Sequence, residues 1–255
     1  MKQSKPTIFL TLLCLNFLIS PLAFGDDIVT ESEFLFHICS SFDNYTSNSP
    51  YASNLNQALD QLASNAPPLG FGLSSIGKDD LQNQVNGLAL CRGDVSPANC
   101  KNCVATASQE IQERCPYRKG AVIWYDFCLL KYSNTKFFGK IDNRNKFYMW
   151  NLQERDHDPE VFNEQVKSLL ISLSERVGAT KNLYVIGEVE MKKPLEKLYG
   201  MVQCSRDLSS NACKKCLDIA IGELPSCCNA KIGGRVVGGS CNFRYELCPI
   251  VDAQK

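Results

Sequence analysis

Histidine is scarce in this sequence, which has only His37 and His157 among its 255 residues. A histidine-based acid–base mechanism needs an imidazole in a recognisable constellation, and neither histidine lies in one. The carboxylates Asp156 and Asp158 lie in polar, turn-like sequence, which favours a solvated loop. A Gly-rich phosphate loop is also missing, because the glycines of GGRVVGG lack the strand and helix of a nucleotide site. These absences predict no catalytic residue, no cofactor and no enzymatic activity.

The chain has no formal net charge, since 27 Lys and Arg balance 27 Asp and Glu, and its pI is about 6.7. Composition therefore gives no overall attraction to nucleic acid or to an anionic membrane. After the first 25 residues, no segment has the roughly 20 consecutive apolar residues of a spanning helix. We expect no nucleic-acid partner and no membrane span.

The apolar run at the start of the chain has the pattern of a secretory signal. Two lysines precede the run over residues 8–19, and Ala23 and Gly25 supply the small residues of a cleavage site before Asp26. The run is shorter than a membrane span. We expect residues 1–25 to be a signal peptide and the mature chain to begin at Asp26; an N-terminal anchor is the alternative.

Cysteine is abundant, with 14 copies, of which Cys14 lies in the signal. The other 13 enter an oxidising compartment, so most should form disulfides and at least one thiol has no intramolecular partner. Pairs of the form C-x2-C are also half of many structural zinc sites. Secretion favours oxidation of the cysteines, and only His37 and His157 could complete a zinc site. We therefore expect disulfides and no metal.

The same cysteine spacing, C-x8-C-x2-C, occurs twice, and each copy is followed by cysteines 12 and 25 residues after its last member. Four matched spacings indicate two equivalent modules. Ser96 and Ser209 lie five residues after the first cysteine of each copy, where a hydroxyl caps a helix. The copies comprise Cys91, Cys100, Cys103, Cys115 and Cys128, and Cys204, Cys213, Cys216, Cys228 and Cys241.

Local patterns place helices and strands in each copy. Apolar residues at helical spacing predict a first helix over 51–62, and SPANCKNC predicts another from Pro97 to about Glu113. FGLSSIG and QVNGLALC predict a hairpin, which KNLYVIGEVEM and EKLYGMVQC repeat. The tripeptide Arg92-Gly93-Asp94 suggests adhesion, but it adjoins a cysteine and is not repeated.

Together, the duplicated cysteine motif, IWYDFCLLKYSN and GGRVVGGSCNFRYE resemble the plant cysteine-rich repeat secretory proteins, whose modules are similar to the antifungal seed protein ginkbilobin. The resemblance implies an α+β fold of two tandem modules, each with two helices packed on a five-stranded antiparallel sheet and stapled by disulfides. It places domain 1 at residues 32–136 and domain 2 at residues 142–250. The implied bridges are Cys39–Cys115, Cys91–Cys100, Cys103–Cys128, Cys204–Cys213 and Cys216–Cys241.

The second module departs from this pattern, because it has no counterpart of Cys39 and therefore no expected partner for Cys228. Cys227 and Cys248 are additional. A Cys227–Cys228 bridge would close a strained eight-membered ring. We therefore expect Cys248 to pair with Cys227 or Cys228 and the third thiol to stay reduced or to join two chains.

In ginkbilobin an Asn beside the first cysteine, an Arg and a Glu bind mannose. Arg235 and Glu246 match the last two by their offsets from Cys241, and we expect no match for the Asn in the second module. In the first module the three positions hold Ser40, Val122 and Ser133, so the trio is absent. A cross-sheet ion pair between Arg235 and Glu246 is the structural alternative to carbohydrate binding.

A single glycosylation sequon, Asn44-Tyr45-Thr46, predicts an N-glycan at Asn44. With the signal and the resemblance, it predicts a secreted, apoplastic, non-enzymatic recognition or defence protein. A mannose-binding antifungal lectin of the ginkbilobin type is the alternative, and an enzyme is a third class. The expected partner is an unidentified extracellular protein or cell-wall glycan.

Overall fold

The structure is a computed structural model that describes residues 30–40, 43–191 and 196–251. The predicted signal peptide lies outside these residues. Contacts divide the chain into two compact units, one with residues 26–145 and 205–212 and the other with residues 146–204 and 213–255. Each unit is built around one five-stranded sheet.

The first module has the order β-α-β-β-α-β-β, and its sheet runs β1-β4-β5-β3-β2 with every neighbouring pair antiparallel. Its elements are β1 (Phe34–Ile38), α1 (Pro50–Asn65), β2 (Phe71–Ile76), β3 (Val85–Cys91), α2 (Pro97–Arg114), β4 (Gly120–Tyr125) and β5 (Cys128–Ser133).

The second module repeats this order with one added helical turn, and its sheet runs β6-β9-β10-β8-β7 in the same antiparallel pattern. Its elements are β6 (Lys146–Trp150), α3 (Pro159–Val177), β7 (Tyr184–Glu190), β8 (Lys197–Cys204), α4 (Ser210–Ile221), α5 (Leu224–Cys227), β9 (Gly234–Gly238) and β10 (Cys241–Glu246). The predicted α+β fold of two tandem modules is confirmed.

Hydroxyl caps fix the starts of the repeated helices. Ser96 Oγ accepts a hydrogen bond from Asn99 N at 3.3 Å, and Ser209 Oγ accepts one from Ala212 N at 3.2 Å. These bonds satisfy amide groups that have no partner within the helix. A proline follows the cap at the start of α2, where its missing N–H costs no hydrogen bond.

The helices pack on one face of each sheet and close the core there. Glycines in the strands permit the close approach, because a Cβ at Gly87 would lie 2.9 Å from Leu62 Cδ1, and one at Gly200 would lie 2.9 Å from Leu173 Cδ1. The core of the first module is a cluster of buried aliphatic, aromatic and cysteine side chains that includes Tyr51, Leu55, Leu62, Val104, Ile111, Ile123, Leu130 and Tyr132. Burial of this face by α1 and α2 removes apolar surface from water and so stabilises the sheet.

Disulfides fasten the helices to the strands. The structure contains Cys39–Cys115, Cys91–Cys100 and Cys103–Cys128 in the first module, and Cys204–Cys213 and Cys216–Cys241 in the second. These are the five pairs that the resemblance implies. Every bridge closes within a single module.

The expected pairing of Cys248 is wrong in this structure. Cys227 and Cys228 are bridged to each other, and Cys248 is a half-buried thiol. The expectation excluded a bridge between neighbours because of the strain of the small ring, whereas the structure joins the two adjacent cysteines. Cys228 is also buried at the end of α5, where Tyr245 Oη donates a hydrogen bond to its carbonyl at 3.1 Å.

Candidate functional site

The two candidate sugar-binding residues lie on neighbouring strands of the second sheet, Arg235 on β9 and Glu246 on β10. Tyr245 contacts Phe162 of α3, so alternation along β10 turns Glu246 away from the helices. Both candidate residues are buried, with 6% exposure for Arg235 and 5% for Glu246. Charged groups at this depth need partners.

Glu246 is held by an ion pair along its own strand. Arg244 Nε donates a hydrogen bond to Glu246 Oε1 at 3.0 Å, and Arg244 is 3% exposed. The strand register sets Arg235 directly opposite Arg244. The structural interpretation of this cluster therefore includes Arg244, which sequence reasoning missed. Removing one member of such a buried pair leaves an uncompensated charge, so the cluster contributes to stability whatever else it does.

Gly233 allows the Glu246 carboxylate to approach the backbone closely. A Cβ at Gly233 would lie 2.0 Å from Glu246 Oε2, so any side chain there would displace the carboxylate. The Gly233 carbonyl accepts a hydrogen bond from Asn151 N at 2.9 Å. Asn151 follows β6 and is half-buried. The backbone of Gly233 thus links Asn151 to the cluster of Arg235 and Glu246.

Asn151 occupies the position that Ser40 holds in the first module. Ser40 N donates to Gly120 O at 2.9 Å, as Asn151 N donates to Gly233 O. Gly120 and Gly233 each lie eight residues before the cysteine that begins the last strand of their module. The two hydrogen bonds are therefore equivalent in the repeat.

The expectation that nothing in the second module matches the mannose-binding Asn is wrong. Ser40 follows Cys39, and the equivalent position after Trp150 holds Asn151. Cysteine spacing missed this match because Trp150 stands where the first cysteine would be. Strand register was the only signal that could align the two segments. All three residue types of the trio therefore occur in the second module.

Asn44, the predicted glycosylation site, is exposed on the surface of the first module. The segment is anchored on both sides, because Lys119 N donates to Asp43 O and Tyr45 N donates to Tyr117 O, each at 2.9 Å. An oligosaccharide attached here would project into solvent without disturbing the core.

The two histidines lie in separate modules. His37 is near Cys39 and Cys115, but both sulfurs are in a disulfide and neither is a thiolate that would bind a metal. Burial, and to a smaller extent the charge of Arg114, lower the pKa of His37. His157 lines a cleft in the second module together with Arg155 and Glu196. The sequence predicts only a solvated loop around His157 and gives no sign of this cleft.

Comparison with known proteins identifies the family. Residues 38–135 and 151–247 match the family described as Salt stress response/antifungal. An antimicrobial ginkbilobin-2-like protein of Castanea crenata is 57% identical over 219 residues, covering 86% of this chain and 89% of the relative. Cysteine-rich repeat secretory protein 38 of Arabidopsis thaliana is 52% identical over 221 residues, covering 86% of each.

Solved structures share the same architecture. The tandem DUF26 ectodomain of the cysteine-rich receptor-like protein PDLP8 of Arabidopsis thaliana matches with a TM-score of 0.73 and 26% identity, covering 85% of this chain and 99% of that one. The ectodomain of PDLP5 matches with a TM-score of 0.70 and 25% identity, covering 85% and 100%. Among the described residues, no helix is long and apolar enough to cross a membrane. The chain therefore belongs to the Salt stress response/antifungal family, as a cysteine-rich repeat secretory protein with tandem DUF26 domains.

Proposed function

We propose that the protein is secreted to the apoplast and acts there, without catalysis, as a recognition or defence protein. The observation that carries the proposal is the density of disulfides, since twelve cysteines are bridged within two small modules. Such a scaffold suits an oxidising compartment outside the cell. Relatives with antimicrobial and secretory names support the same role. The partner is an extracellular protein or a cell-wall glycan.

The secretion step is tested by the intact mass of the protein recovered from leaf apoplastic fluid. We expect a chain that begins at Asp26 and carries one N-glycan at Asn44. The Asn44→Gln variant is the control, and it should lose the mass that glycosidase removes from the wild type. A chain that retains residues 1–25, or an unchanged mass after glycosidase treatment, would contradict the proposal.

The defence role is tested by hyphal growth in the presence of the purified, oxidised protein. We expect slower growth than with a reduced and alkylated sample of the same chain, because loss of the bridges unfolds the modules that present the binding surface. Equal growth in the two samples would count against defence. Turnover of a substrate that survives purification would replace the non-enzymatic role by an enzymatic one.

Mannose binding is the second candidate function, and the presence of Asn151 beside Arg235 and Glu246 favours it. Amide and charged groups that each make two hydrogen bonds suit sugar hydroxyls. The half-buried Asn151 is the most accessible of the three. A mannose titration tests the idea with Asn151→Ala and, as matched control, Ser40→Ala at the equivalent position. Binding that Asn151→Ala abolishes and Ser40→Ala keeps would support a lectin, whereas no binding by the wild type excludes it.

A further inference from the structure

A cleft of about 520 Å³ opens in the second module beside the start of α3. It is lined by Gln153, Glu154, Arg155, Asp156, His157, Glu196, Ile232 and Leu247. Its size lies in the range of small-molecule sites. The residues are drawn from four separate segments, so the cleft exists only in the folded module.

One residue that lines the cleft, Arg155, has a different residue at the equivalent position of the first module. Tyr45 N donates to Tyr117 O in the first module, and Arg155 N donates to Ala230 O in the second. Tyr117 and Ala230 each lie eleven residues before the last-strand cysteine, and both have positive φ, 60° and 58°. Tyr45 is therefore the counterpart of Arg155.

The side chains at these positions behave differently. Tyr45 packs its ring 5.1 Å from the ring of Tyr51. The Arg155 guanidinium lies 5.3 Å from the centre of the Phe162 ring and pairs with both carboxylate oxygens of Glu196, at 2.6 and 2.8 Å. Hydrogen bonding to Glu196 raises the pKa of Arg155. An aromatic contact in one module is thus replaced in the other by an ion pair.

Two of the three carboxylates that line the cleft are in ion pairs with other described residues, and one is not. Glu196 is balanced by Arg155, and Glu154 is balanced by Lys231, whose Nζ lies 2.7 Å from Glu154 Oε1. Among the described residues, no hydrogen bond or ion pair holds the side chain of Asp156. Asp156, like the neighbouring Asp158, acts only electrostatically on Arg155, which is already ion-paired with Glu196, so Asp156 is the lining carboxylate left without an ion pair to a described residue.

Neutral polar groups accompany this charge. The Gln153 amide and the His157 imidazole line the cleft, and neither side chain is hydrogen-bonded to another described residue. An amide and an imidazole each donate and accept hydrogen bonds, which matches the hydroxyl groups of a polyol. Ile232 and Leu247 add apolar surface for the carbon skeleton.

We propose that this cleft binds a small organic cation that also carries hydroxyl groups, the class to which glucosamine oligomers belong. The ammonium group pairs with Asp156, and the hydroxyls bond to Gln153 and His157. A longer basic peptide fits less well, because the cleft is compact and supplies one excess carboxylate rather than a row of them. The inference rests on the recognition function proposed above and names a ligand for it.

Calorimetric titration of the intact secreted protein tests the proposal, with the glucosamine disaccharide below the pKa of its amines as the probe. The N-acetylated disaccharide has the same skeleton without the charge, and a lysine-containing tripeptide is the competing cation. We expect binding of the glucosamine disaccharide that weakens with salt. Asp156→Asn should weaken it about fivefold, the effect of losing one partly exposed charge pair. Asp60→Asn, an exposed aspartate of α1, should leave the affinity unchanged.

Three results would overturn the proposal. Equal binding of both disaccharides would show that the charge is not recognised. Tighter binding of the tripeptide would identify a peptide site. No binding of any probe would show that the cleft does not bind this class of ligand. The hyphal growth assay with the same Asp156→Asn protein separates ligand binding in the cleft from the proposed defence role. Unchanged inhibition together with failed titration rejects the cleft and leaves the defence role standing.

Discussion

Single residues at equivalent positions distinguish the two modules more than their folds do. Val122 and Ser133 of the first sheet correspond to Arg235 and Glu246 of the second. Lys131 corresponds to Arg244, so a basic residue is common to both, but only the second module supplies a carboxylate two positions along the strand. Burial lowers the pKa of Lys131, whereas Arg244 is ion-paired with Glu246. The carboxylate of Glu246 thus compensates the charge of Arg244 in the second sheet.

The close contact between Gly233 and Glu246 gives a residue-level prediction. Gly233→Ala should lower the free energy of unfolding by about 1–3 kcal/mol, because the carboxylate is pinned by Arg244 and cannot swing away from the new methyl group. Glu246→Ala should also destabilise, since it leaves Arg244 buried without its partner. In the double variant the clash is gone, so its loss of unfolding free energy should be smaller than the sum of the losses of the two single variants. Denaturant unfolding of the four proteins measures this, and strict additivity would refute the contact.

Sequence could predict Arg235 and Glu246, but not Arg244 or Asn151. The first two follow from fixed offsets to Cys241, which any cysteine-based alignment preserves. Asn151 lies before Cys204, the first matched cysteine of the second module, and only hydrogen-bond register carries the alignment to β6. Arg244 is an ordinary strand residue in the sequence, and its importance comes from the ion pair with Glu246 two positions along β10, which the cysteine spacings do not encode.

The pairing of the three extra cysteines gives the second residue-level prediction. Labelling of the native protein with a thiol reagent should modify one residue per monomer, and peptide mapping should place the label on Cys248. Non-reducing digestion should recover Cys227 and Cys228 in one bridged peptide. A Cys228→Ser control should add a second label, at Cys227. Recovery of Cys248 bridged to either residue in the wild type would contradict the structure.

At the scale of elements, side chains outside the cores define where strands turn. The continuous β-type run AVIWYDFCLLKY is divided into β4 and β5 by a turn at Asp126 and Phe127, which contains no Gly, Pro or Asn. Arg92 holds that turn, because its Nη1 lies 2.8 Å from Asp126 Oδ2 and its guanidinium lies 5.2 Å from the centre of the Phe127 ring. The Arg of the RGD tripeptide therefore has a structural role.

The helices were easier to predict than this turn. The helix predicted from Pro97 to about Glu113 ends only one residue later in the structure. It was predictable because its cap, its proline and its cysteine face are all local signals. The turn at Asp126 depends instead on Arg92, which is 34 residues away in the chain. Local sequence cannot reveal a turn that is fixed by so distant a partner.

The disulfides of the first module give a prediction at the element scale. Replacing each bridge by two serines should lower the free energy of unfolding in the order of the loop that it closes. Cys39–Cys115, Cys103–Cys128 and Cys91–Cys100 separate residues by 76, 25 and 9 positions. The loop-entropy relation gives losses of about 4.5, 3.5 and 2.5 kcal/mol. Denaturant unfolding under oxidising conditions measures the order, and a largest loss for the nine-residue bridge would contradict it.

At the scale of the whole molecule, the repeat preserves topology while changing how each module is constrained. We propose domain boundaries of 32–136 and 142–250, because each bridge closes within one of these ranges. The bridges at separations of 9 and 25 occur in both modules. The first module adds one at 76, whereas the second has only the adjacent pair Cys227–Cys228. A bond between neighbours closes no long loop and removes little entropy from the unfolded chain.

The second module should therefore open more readily than the first. Native-state hydrogen exchange measures this directly, since amides of β3, β4 and β5 report on the first core and amides of β8, β9 and β10 on the second. We expect slower exchange in the first set. The 76-residue loop supplies up to about 4.5 kcal/mol of the difference. Equal protection in the two sets would mean that packing, rather than the missing long bridge, decides local stability.

An engineered long-range disulfide in the second module tests whether the lack of such a bridge makes this module open more readily. Trp150 stands at the position of Cys39 and is paired with Gly234 across β6 and β9, and a Cβ at Gly234 would lie 2.9 Å from Cys228 Sγ. Trp150→Cys combined with Cys227→Ser should therefore let Cys228 bond to the new thiol and close a loop like that of the first module. Under the same oxidising conditions, exchange in β8, β9 and β10 should be slower in this variant than in Cys227→Ser alone. A bridge that forms without slowing exchange would show that the long disulfide is not what distinguishes the modules.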